Sequence, residues 1–470
     1  MFEIGVVPVQ VSPLVKRVSR PMANQRSTAW LHPTRLIIVA YLVAASVGAL
    51  LLLLPVAVSG QSAGVGLDTA VFTATSALTV TGLAVVDTAT EWSRFGQVVI
   101  LGLIQLGGFG ITTFASVFAV LVFRRLGLRA RLATQLEQNQ PDFGNLRSLV
   151  KRIAVFYVIV EVLGILVLSV AFWRSSADSF VSALWTGTFH AISAFNNAGF
   201  STFTNNLVGY SGDVAVLAPV MLLVIIGGIG FPVVLEVVNT RWHYRRWSIH
   251  TRLTLFTTAA LLVIATFGYA VLEWNNPGTF GTMDSGERAL NSAFAAVTPR
   301  TAGFNTFDYG QSGPGAQFLT SILMLIGGGS ASAAGGIKVT TFALLGFVII
   351  AELRSDREVN AFGRRLSEAT QRQALAVALL GVGSVALGTL AIAATSPSLA
   401  MGDVLFETVS AVGTVGLSTG ITPELEPVSR LLMSVLMLLG RLGPVTFGVA
   451  LVLRRRQLLL RYPEGRPLIG

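Results

Sequence analysis

Eight long apolar stretches constrain the fold of this chain more than any other feature of the sequence. A helix needs about 20 mostly apolar residues to cross a bilayer, and each stretch reaches that length. Only 12% of the residues are charged, against about 25% in an ordinary soluble protein. We therefore predict an all-α polytopic membrane protein with eight transmembrane helices. The stretches are 36–58, 95–123, 149–173, 214–240, 252–273, 316–351, 373–394 and 428–453.

The positive charges are distributed unevenly among the connections between these stretches. Of the 33 Lys and Arg residues, 26 fall in five segments: 1–35, 123–152, 240–252, 353–372 and 454–470. Cytoplasmic connections of membrane proteins carry such an excess of basic residues. We therefore predict a multi-pass protein of the cell (inner) membrane with both termini in the cytosol. Most acidic residues fall in the other connections, where they either attract cations or simply solubilise the loops.

Several kinds of site are excluded by what the sequence lacks. It contains no cysteine, which excludes disulfides and thiolate metal sites, and its four histidines do not cluster. It contains neither a Gly-x-Gly-x-x-Gly fingerprint at a βαβ unit nor a Walker A motif, so we expect no nucleotide site. The net charge of +10 follows the predicted topology. We therefore expect no nucleic-acid partner and no covalent cofactor.

Each quarter of the chain repeats one order of segments: an apolar stretch, a short apolar segment, a glycine turn and a second apolar stretch. The short segments are too short to cross a bilayer, and such lengths are typical of re-entrant helices. They cover 68–79, 180–194, 287–298 and 402–412. The four glycine turns that follow them are 79–83, 196–200, 300–304 and 413–417. The key glycines are Gly82, Gly199, Gly303 and Gly416.

A second glycine-rich break lies in each second apolar stretch, at 107–110, 227–230, 327–329 and 440–444. Four turns and four breaks in matching order indicate an internal repeat rather than ordinary packing glycines. The predicted organisation is a cytosolic basic leader (1–35), repeat 1 (36–123), a cytosolic linker (124–148), repeat 2 (149–240), repeat 3 (252–352), a second linker (353–372), repeat 4 (373–453) and a cytosolic tail (454–470).

Four such turns around one axis would form a binding site for cations. Irregular backbone at membrane depth is tolerated where it lines a water-filled path, and glycine allows the carbonyl groups to turn toward that path. Rings of carbonyl oxygens can replace the hydration shell of a cation, and the C-terminal ends of the short helices add partial negative charge. The residues predicted to line this site are Thr81, Gly82, Asn197, Ala198, Gly199, Thr301, Ala302, Gly303, Thr414, Val415 and Gly416.

These turns, together with the segment 327–338, resemble the Trk/Ktr/HKT superfamily of potassium transporters over nearly all of 36–453. With eight apolar stretches and no extra N-terminal pair, the chain is most similar to the Ktr-type (KtrB-type) membrane subunit. The resemblance implies a pseudo-four-fold pore with the key glycines in a selectivity filter, whose backbone carbonyls bind potassium. Sodium-selective plant relatives have serine at the position of Gly82, so the resemblance favours potassium.

The resemblance also implies an intramembrane gating loop, which corresponds to 327–337 here. This loop is nearly all Gly, Ala and Ser, with low helix propensity. The adjoining Lys338 either faces protein or a water-filled cavity, or extends to the cytosolic interface. Arg441 would act as a positive barrier or as a partner for the loop, and a structural salt bridge is its other interpretation. The predicted gate residues are Gly327, Gly328, Gly329, Ser330, Gly335, Gly336, Lys338 and Arg441.

The partners that the resemblance implies are a second copy of the chain and a cytosolic ring of nucleotide-binding regulatory subunits (KtrA-type, binding ATP or ADP). It also implies Na+ as an activator of potassium transport. The basic connections offer a docking surface for such a ring, and anionic headgroups of membrane lipids account for them equally well.

Two other classes of function compete with this prediction. A secondary transporter of an organic solute would bind it at broken helices, but it predicts inverted repeats, and these four run in one orientation. An intramembrane enzyme would need a nucleophile beside a base, and His190 near the second turn has no evident nucleophile. No stretch carries the regular arginines of a voltage sensor. The sequence therefore predicts potassium uptake and no enzymatic activity.

Overall fold

The computed structural model describes residues 33–60, 64–109, 146–176 and 179–443, and these residues are mainly helical. The predicted tail 454–470 and nearly all of the leader and the first linker lie outside the described residues. The helices are α1 Pro33–Leu52, α2 Leu67–Thr79, α3 Arg94–Gly108, α4 Leu146–Ser176, α5 Phe180–Phe195, α6 Val214–Ile229, α7 Phe231–Asn239, α8 Ile249–Glu273, α9 Ser285–Val297, α10 Pro314–Leu325, α11 Val339–Leu353, α12 Glu368–Thr395, α13 Met401–Gly413 and α14 Pro427–Leu442.

The remaining regular structure is short. An antiparallel hairpin, β1 Asn360–Ala361 with β2 Arg364–Arg365, lies between α11 and α12. Single turns of 3-10 helix lie at Pro55–Ala57, Val208–Tyr210, Tyr244–Arg246, Phe280–Thr282, Tyr309–Gln311 and Thr422–Glu424.

The four predicted short segments form the helices α2, α5, α9 and α13, within two residues of the predicted bounds at either end. Capping explains two of the starts. The Ser179 hydroxyl accepts from the Ser182 amide at 3.2 Å before α5, and Asp284 and Glu287 form a capping box before α9. Two of the ends follow from backbone handedness, because Val80 and Thr414 directly after α2 and α13 are left-handed.

Three helices of the described residues are each long and apolar enough to cross a membrane, namely α4, α8 and α12. The pair α6 and α7 reaches that length together but bends by 94° at Gly230, whose φ is +93°. The predicted stretch 316–351 is likewise two helices, α10 and α11, with a loop between them. The predicted stretches 95–123 and 428–453 continue beyond the described residues. The arrangement of eight crossings therefore stays a prediction.

The outward surface of the long helices is apolar. On α8, the side chains of Ile264, Phe267 and Val271 are 64%, 68% and 81% exposed. Large contiguous apolar surface of this kind marks contact with lipid or with another protein. Together with the length of α4, α8 and α12, it supports a helical membrane protein.

The helices pack in four groups, each built around one short helix: α1–α3, α4–α6, α8–α10 and α12–α14. The last helix of each group also contacts the short helix of the next group, as α3 does with α5, α6 with α9, and α10 with α13. The contact of α14 with α2 closes the cycle, and an ion pair of 2.7 Å between Arg430 and Asp68 joins the same two helices. The groups therefore form a ring in which the four short helices lie inside.

A test of this packing uses Gly187, where α5 crosses α4 closely. A methyl group built on Gly187 would lie 2.6 Å from the backbone nitrogen of Ser169. Because backbone cannot move aside easily, we expect Gly187→Ala to destabilise the fold by about 1–3 kcal/mol. The measurement is the apparent melting temperature of the purified protein in detergent.

The matched control is Gly102→Ala, because Gly102 is exposed on α3 and a methyl group there meets nothing within 4 Å. Alanine favours a helix over glycine by about 1 kcal/mol, so this variant should melt at the same or a higher temperature. Equal apparent melting temperatures of the two variants would contradict the close packing of α4 and α5.

Candidate functional site

The four glycine turns follow one backbone path. In each turn, the key glycine and the residue two positions before it both have positive φ, which is uncommon for a residue other than glycine. The φ angles are 57° and 95° for Val80 and Gly82, 57° and 71° for Asn197 and Gly199, 72° and 75° for Thr301 and Gly303, and 50° and 92° for Thr414 and Gly416. The same handedness at the same positions shows that the four turns are structurally equivalent.

The four turns meet in a closed ring. A methyl group built on any key glycine would overlap the carbonyl oxygen of the residue before the key glycine in another turn. The order is cyclic, so the first turn contacts the second, the second the third, the third the fourth and the fourth the first. The glycine and carbonyl pairs are Gly82 with Ala198, Gly199 with Ala302, Gly303 with Val415, and Gly416 with Thr81.

The short helices hold the turns through the turns' own N–H groups. Ser76 of α2 accepts from the Thr81 amide through its carbonyl at 2.8 Å and from the Gly82 amide through its hydroxyl at 3.1 Å. Ser410 of α13 accepts from Val415 and Gly416 in the same way, at 2.8 and 3.0 Å. Because the donors of these turns bond back to the helices, the carbonyl groups are left as the polar groups of the ring.

Four of those carbonyl groups lack a hydrogen-bond donor in the part of the chain that the structure describes. Among the described residues, no hydrogen-bond donor contacts the backbone oxygens of Thr81, Ala198, Ala302 or Val415. A buried carbonyl without a donor is unfavourable unless another electropositive group contacts it. Four of them in one ring can therefore coordinate a cation, and no acidic side chain is present in any of the turns.

Three of the glycine-rich breaks lie against the ends of the short helices. A methyl group on Gly107, Gly227 or Gly440 would overlap the carbonyl oxygen of Leu78, Phe195 or Val412 respectively. Each of these oxygens belongs to the residue four positions before a key glycine. At the third break, the corresponding contact of Gly327 is the carbonyl oxygen of Gly335 in the adjoining loop.

The loop 327–337 connects α10 and α11 and lies beside the ring. Its Gly329 and Ala333 amides donate to the carbonyls of Gly228 and Gly227 at 2.8 and 3.3 Å. A methyl group on Gly335 would overlap the hydroxyl oxygen of Thr414 in the fourth turn. The loop therefore contacts the second break on one side and the fourth glycine turn on the other.

Arg441 and Lys338 both donate to the carbonyls of this loop. The guanidinium of Arg441 is buried and bonds to the carbonyls of Ala333 in the loop and Gly107 in the first break. The ammonium of Lys338 donates to the carbonyl of Ala334 at 2.5 Å. No described carboxylate pairs with Arg441. Arg441 and Lys338 therefore both contact the loop, and their roles in gating stay predictions.

A polar cluster beside the second turn was missed by the sequence analysis, which assigned Glu161 no role. Glu161 of α4 is 8% exposed and accepts from the amide of Gln105 at 2.9 Å and from Asn196 at 3.1 Å. Nearby, the Tyr157 hydroxyl donates to the carbonyl of Gly108 at 2.9 Å. The available signal was a carboxylate in the middle of an apolar stretch, which is rare without a partner.

Comparisons with known proteins identify the family to which the chain belongs. The model of the TrkH family, described as cation transport proteins, matches residues 20–457. The chain is 41% identical over 438 residues to the "Ktr system potassium uptake protein B" of Bacillus subtilis, covering 93% of this chain and 97% of that protein. It is 33% identical over 450 residues to the "Potassium/sodium uptake protein NtpJ" of Enterococcus hirae, covering 94% and 98%.

A solved structure shares the fold. The crystal structure of the potassium transporter TrkH from Vibrio parahaemolyticus superimposes with a TM-score of 0.70, covering 92% of this chain and 86% of that one. The sequence identity of that pair is 19%, so this likeness supports the fold alone. From the family match and the identity to its relatives, the chain belongs to the TrkH family of cation transport proteins.

Proposed function

We propose that this chain carries potassium ions across the cell membrane through the ring of four glycine turns. The observation that carries the proposal is the cyclic contact of each key glycine with a carbonyl group of another turn. Such carbonyls can replace the hydration shell of an ion that has a single positive charge. The names of the relatives from Bacillus subtilis and Vibrio alginolyticus, both potassium uptake proteins, favour potassium as the ion.

The proposed arrangement is eight crossings in four repeats, with the short helices α2, α5, α9 and α13 pointing their C-terminal ends at the ring. The partial negative charge at these ends favours cations and disfavours anions. The ring order of the four helix groups supports this arrangement. The proposed filter consists of residues 81–82, 197–199, 301–303 and 414–416.

The proposed gate is the loop 327–337, held in place by Arg441 and Lys338. The loop hydrogen-bonds to the second break, contacts the fourth turn and is tied by Arg441 to the first break. A segment attached to elements on several sides of the ring is well placed to obstruct a path through it. Release of these bonds would let the loop move aside.

The proposed regulation is by a separate cytosolic ring of nucleotide-binding subunits acting on a homodimer of this chain. The names of the relatives describe them as proteins of a Ktr system, which supports further components. The predicted cytosolic connections, rich in arginine, offer the docking surface. Na+ as an activator is supported by the name of the Enterococcus relative, a potassium/sodium uptake protein.

Substitution of one key glycine tests the proposed filter. Gly303 has φ +75°, and a side chain there would overlap the carbonyl oxygen of Val415. An overlap of this kind costs about 1–3 kcal/mol, so we expect Gly303→Ser to lower potassium transport by roughly tenfold or more. The measurement is rubidium-tracer uptake, with and without competing sodium, in a bacterium that lacks its own potassium uptake systems.

The matched control is Gly420→Ser, because Gly420 also has positive φ, of +100°, but a side chain there meets nothing within 4 Å. This variant should keep its rubidium uptake and its preference over sodium. If Gly303→Ser transports as well and as selectively as the control at equal expression, the ring of glycine turns is not the filter.

Removal of the arginine that holds the loop tests the proposed gate. Arg441→Gln loses bonds from a charged donor to Ala333 and Gly107, and such bonds contribute about 1.5–3 kcal/mol each. We expect rubidium uptake in cells without a regulatory subunit to rise about tenfold. Deletion of residues 330–334 should also raise rubidium uptake in these cells.

The matched control is Arg288→Gln, because Arg288 also donates to two backbone carbonyls, those of Met283 and Gly281, at 2.8 and 2.9 Å. It lies on α9, away from the loop. Uptake that stays low in Arg441→Gln and in the deletion, with normal expression and normal response to the regulatory subunit, would rule out this gate.

A further inference from the structure

A cavity lies at the junction of α7, α8 and the β1–β2 hairpin, and no residue of the glycine turns lines it. Its volume is about 310 Å³. Four of the residues that line it are arginines, and the single carboxylate among the lining residues is Glu236. The arginines are Arg245, Arg246, Arg252 and Arg364.

Among the described residues, the positive charge of this cavity is only partly offset, because four arginines face a single carboxylate. The ion pairs of the described residues are Arg365 with Glu358 and Arg430 with Asp68, and neither involves a lining arginine. Glu236 is already bonded to the start of α8, where it accepts from the Ser248 amide at 2.6 Å and hydroxyl at 2.7 Å.

One of the four guanidinium groups has a buried donor atom that lacks an acceptor among the described residues. The Nη2 atom of Arg252 donates to the carbonyl of Arg245 at 2.9 Å, but its Nε atom is buried and bonds to nothing in the described structure. A buried charged donor without an acceptor is unfavourable, and arginine suits the bidentate binding of phosphate oxygens. The cavity therefore has the charge and the donors for a phosphate group.

The position of the cavity identifies the source of that phosphate. Lining residue Ile249 is the first residue of α8, which is long enough to cross the membrane, so the cavity lies at the level of the lipid headgroups. Trp242 and Tyr244, which precede α8, are 76% and 56% exposed, as expected for aromatic side chains at the membrane interface. A soluble phosphate compound would gain nothing from this depth.

Apolar surface beside the cavity fits an acyl chain. Phe362 of the hairpin lines the cavity and stacks on Phe256 of α8, with ring centroids 5.6 Å apart. Both rings stay partly exposed, at 39% and 54%. A ligand with a phosphate headgroup and an attached hydrocarbon chain would contact the arginines and these rings together.

We propose that this cavity binds the phosphate group of an anionic phospholipid. The proposal is independent of ion conduction, because it uses no residue of the ring or the loop. Bound lipid would tie the hairpin that precedes α12 to the start of α8. It would thereby connect the third and fourth groups of helices at their basic face.

The test is a titration of the purified, delipidated full chain with phosphatidylglycerol, followed by native mass spectrometry. The variant is Arg245→Gln, Arg246→Gln and Arg364→Gln together, which leaves Arg252 and its bond to the backbone carbonyl of residue 245 intact. Each arginine near an anionic surface contributes roughly fivefold to affinity, so we expect binding to weaken about a hundredfold.

The matched control removes the same charge from exposed arginines outside the cavity, as Arg354→Gln, Arg357→Gln and Arg372→Gln together. It should bind nearly as tightly as the unchanged protein. Equal weakening in both variants would overturn the proposal, since it would indicate a general charge effect. Phosphatidylcholine binding as strong as that of phosphatidylglycerol would overturn it as well.

Two further measurements need no change to the arginines. Phosphatidylglycerol with brominated chains should quench the fluorescence of Trp247, which lines the cavity, more than brominated phosphatidylcholine does. The Trp247 signal is the difference between the unchanged protein and Trp247→Phe. Inorganic phosphate should not displace the lipid at millimolar concentration. Equal quenching by the two lipids, or displacement by phosphate, would exclude the lipid headgroup as the ligand.

Discussion

The hydrogen bonding of four backbone turns is the constraint on which the rest of this structure depends. Backbone polar groups at membrane depth need partners, and a turn cannot supply them internally as a helix does. In the first and fourth turns, the serine of the preceding short helix accepts from two successive amides. The amides are thereby satisfied and the carbonyls are not. The position of each short helix, and of the breaks packed against its end, follows from this need.

Local features of the site could be predicted from the sequence, and long-range ones could not. The bounds of α2, α5, α9 and α13 follow from apolar length and from the glycine turns, both of which act over a few residues. The bonds of Arg441 join positions as far apart as 107 and 441, and nothing local specifies them. The same holds for Glu161 with Gln105, and for the angle of 94° at Gly230, which lies against the loop carbonyls of residues 330 and 331.

The third quarter of the chain departs from the other three at several points. The hydroxyl of Thr298 donates to the carbonyl of Phe304 at 2.5 Å. In the second quarter, the hydroxyl of Ser193 donates to the carbonyl of Phe200, and Ser193 lies one position farther from its key glycine than Thr298 does. The third break contacts its own loop rather than the end of a short helix. These differences coincide with the segment 327–337, which follows α10 in this quarter and contacts the second break and the fourth turn. The four turns are therefore equivalent in their backbone, while the surroundings of the third quarter differ.

The presence of four unlike turns in one polypeptide has a consequence for how such a ring can evolve. In a homotetramer, one gene encodes all four turns, so one substitution changes all four positions of the ring at once. Here the equivalent position is Val80 in the first turn, Asn197 in the second, and threonine in the third and fourth turns, as Thr301 and Thr414. In this chain, a single nucleotide change alters one turn of the ring and leaves the other three turns unchanged. In the proposed filter, ion preference can therefore change one turn at a time while the other three turns are kept.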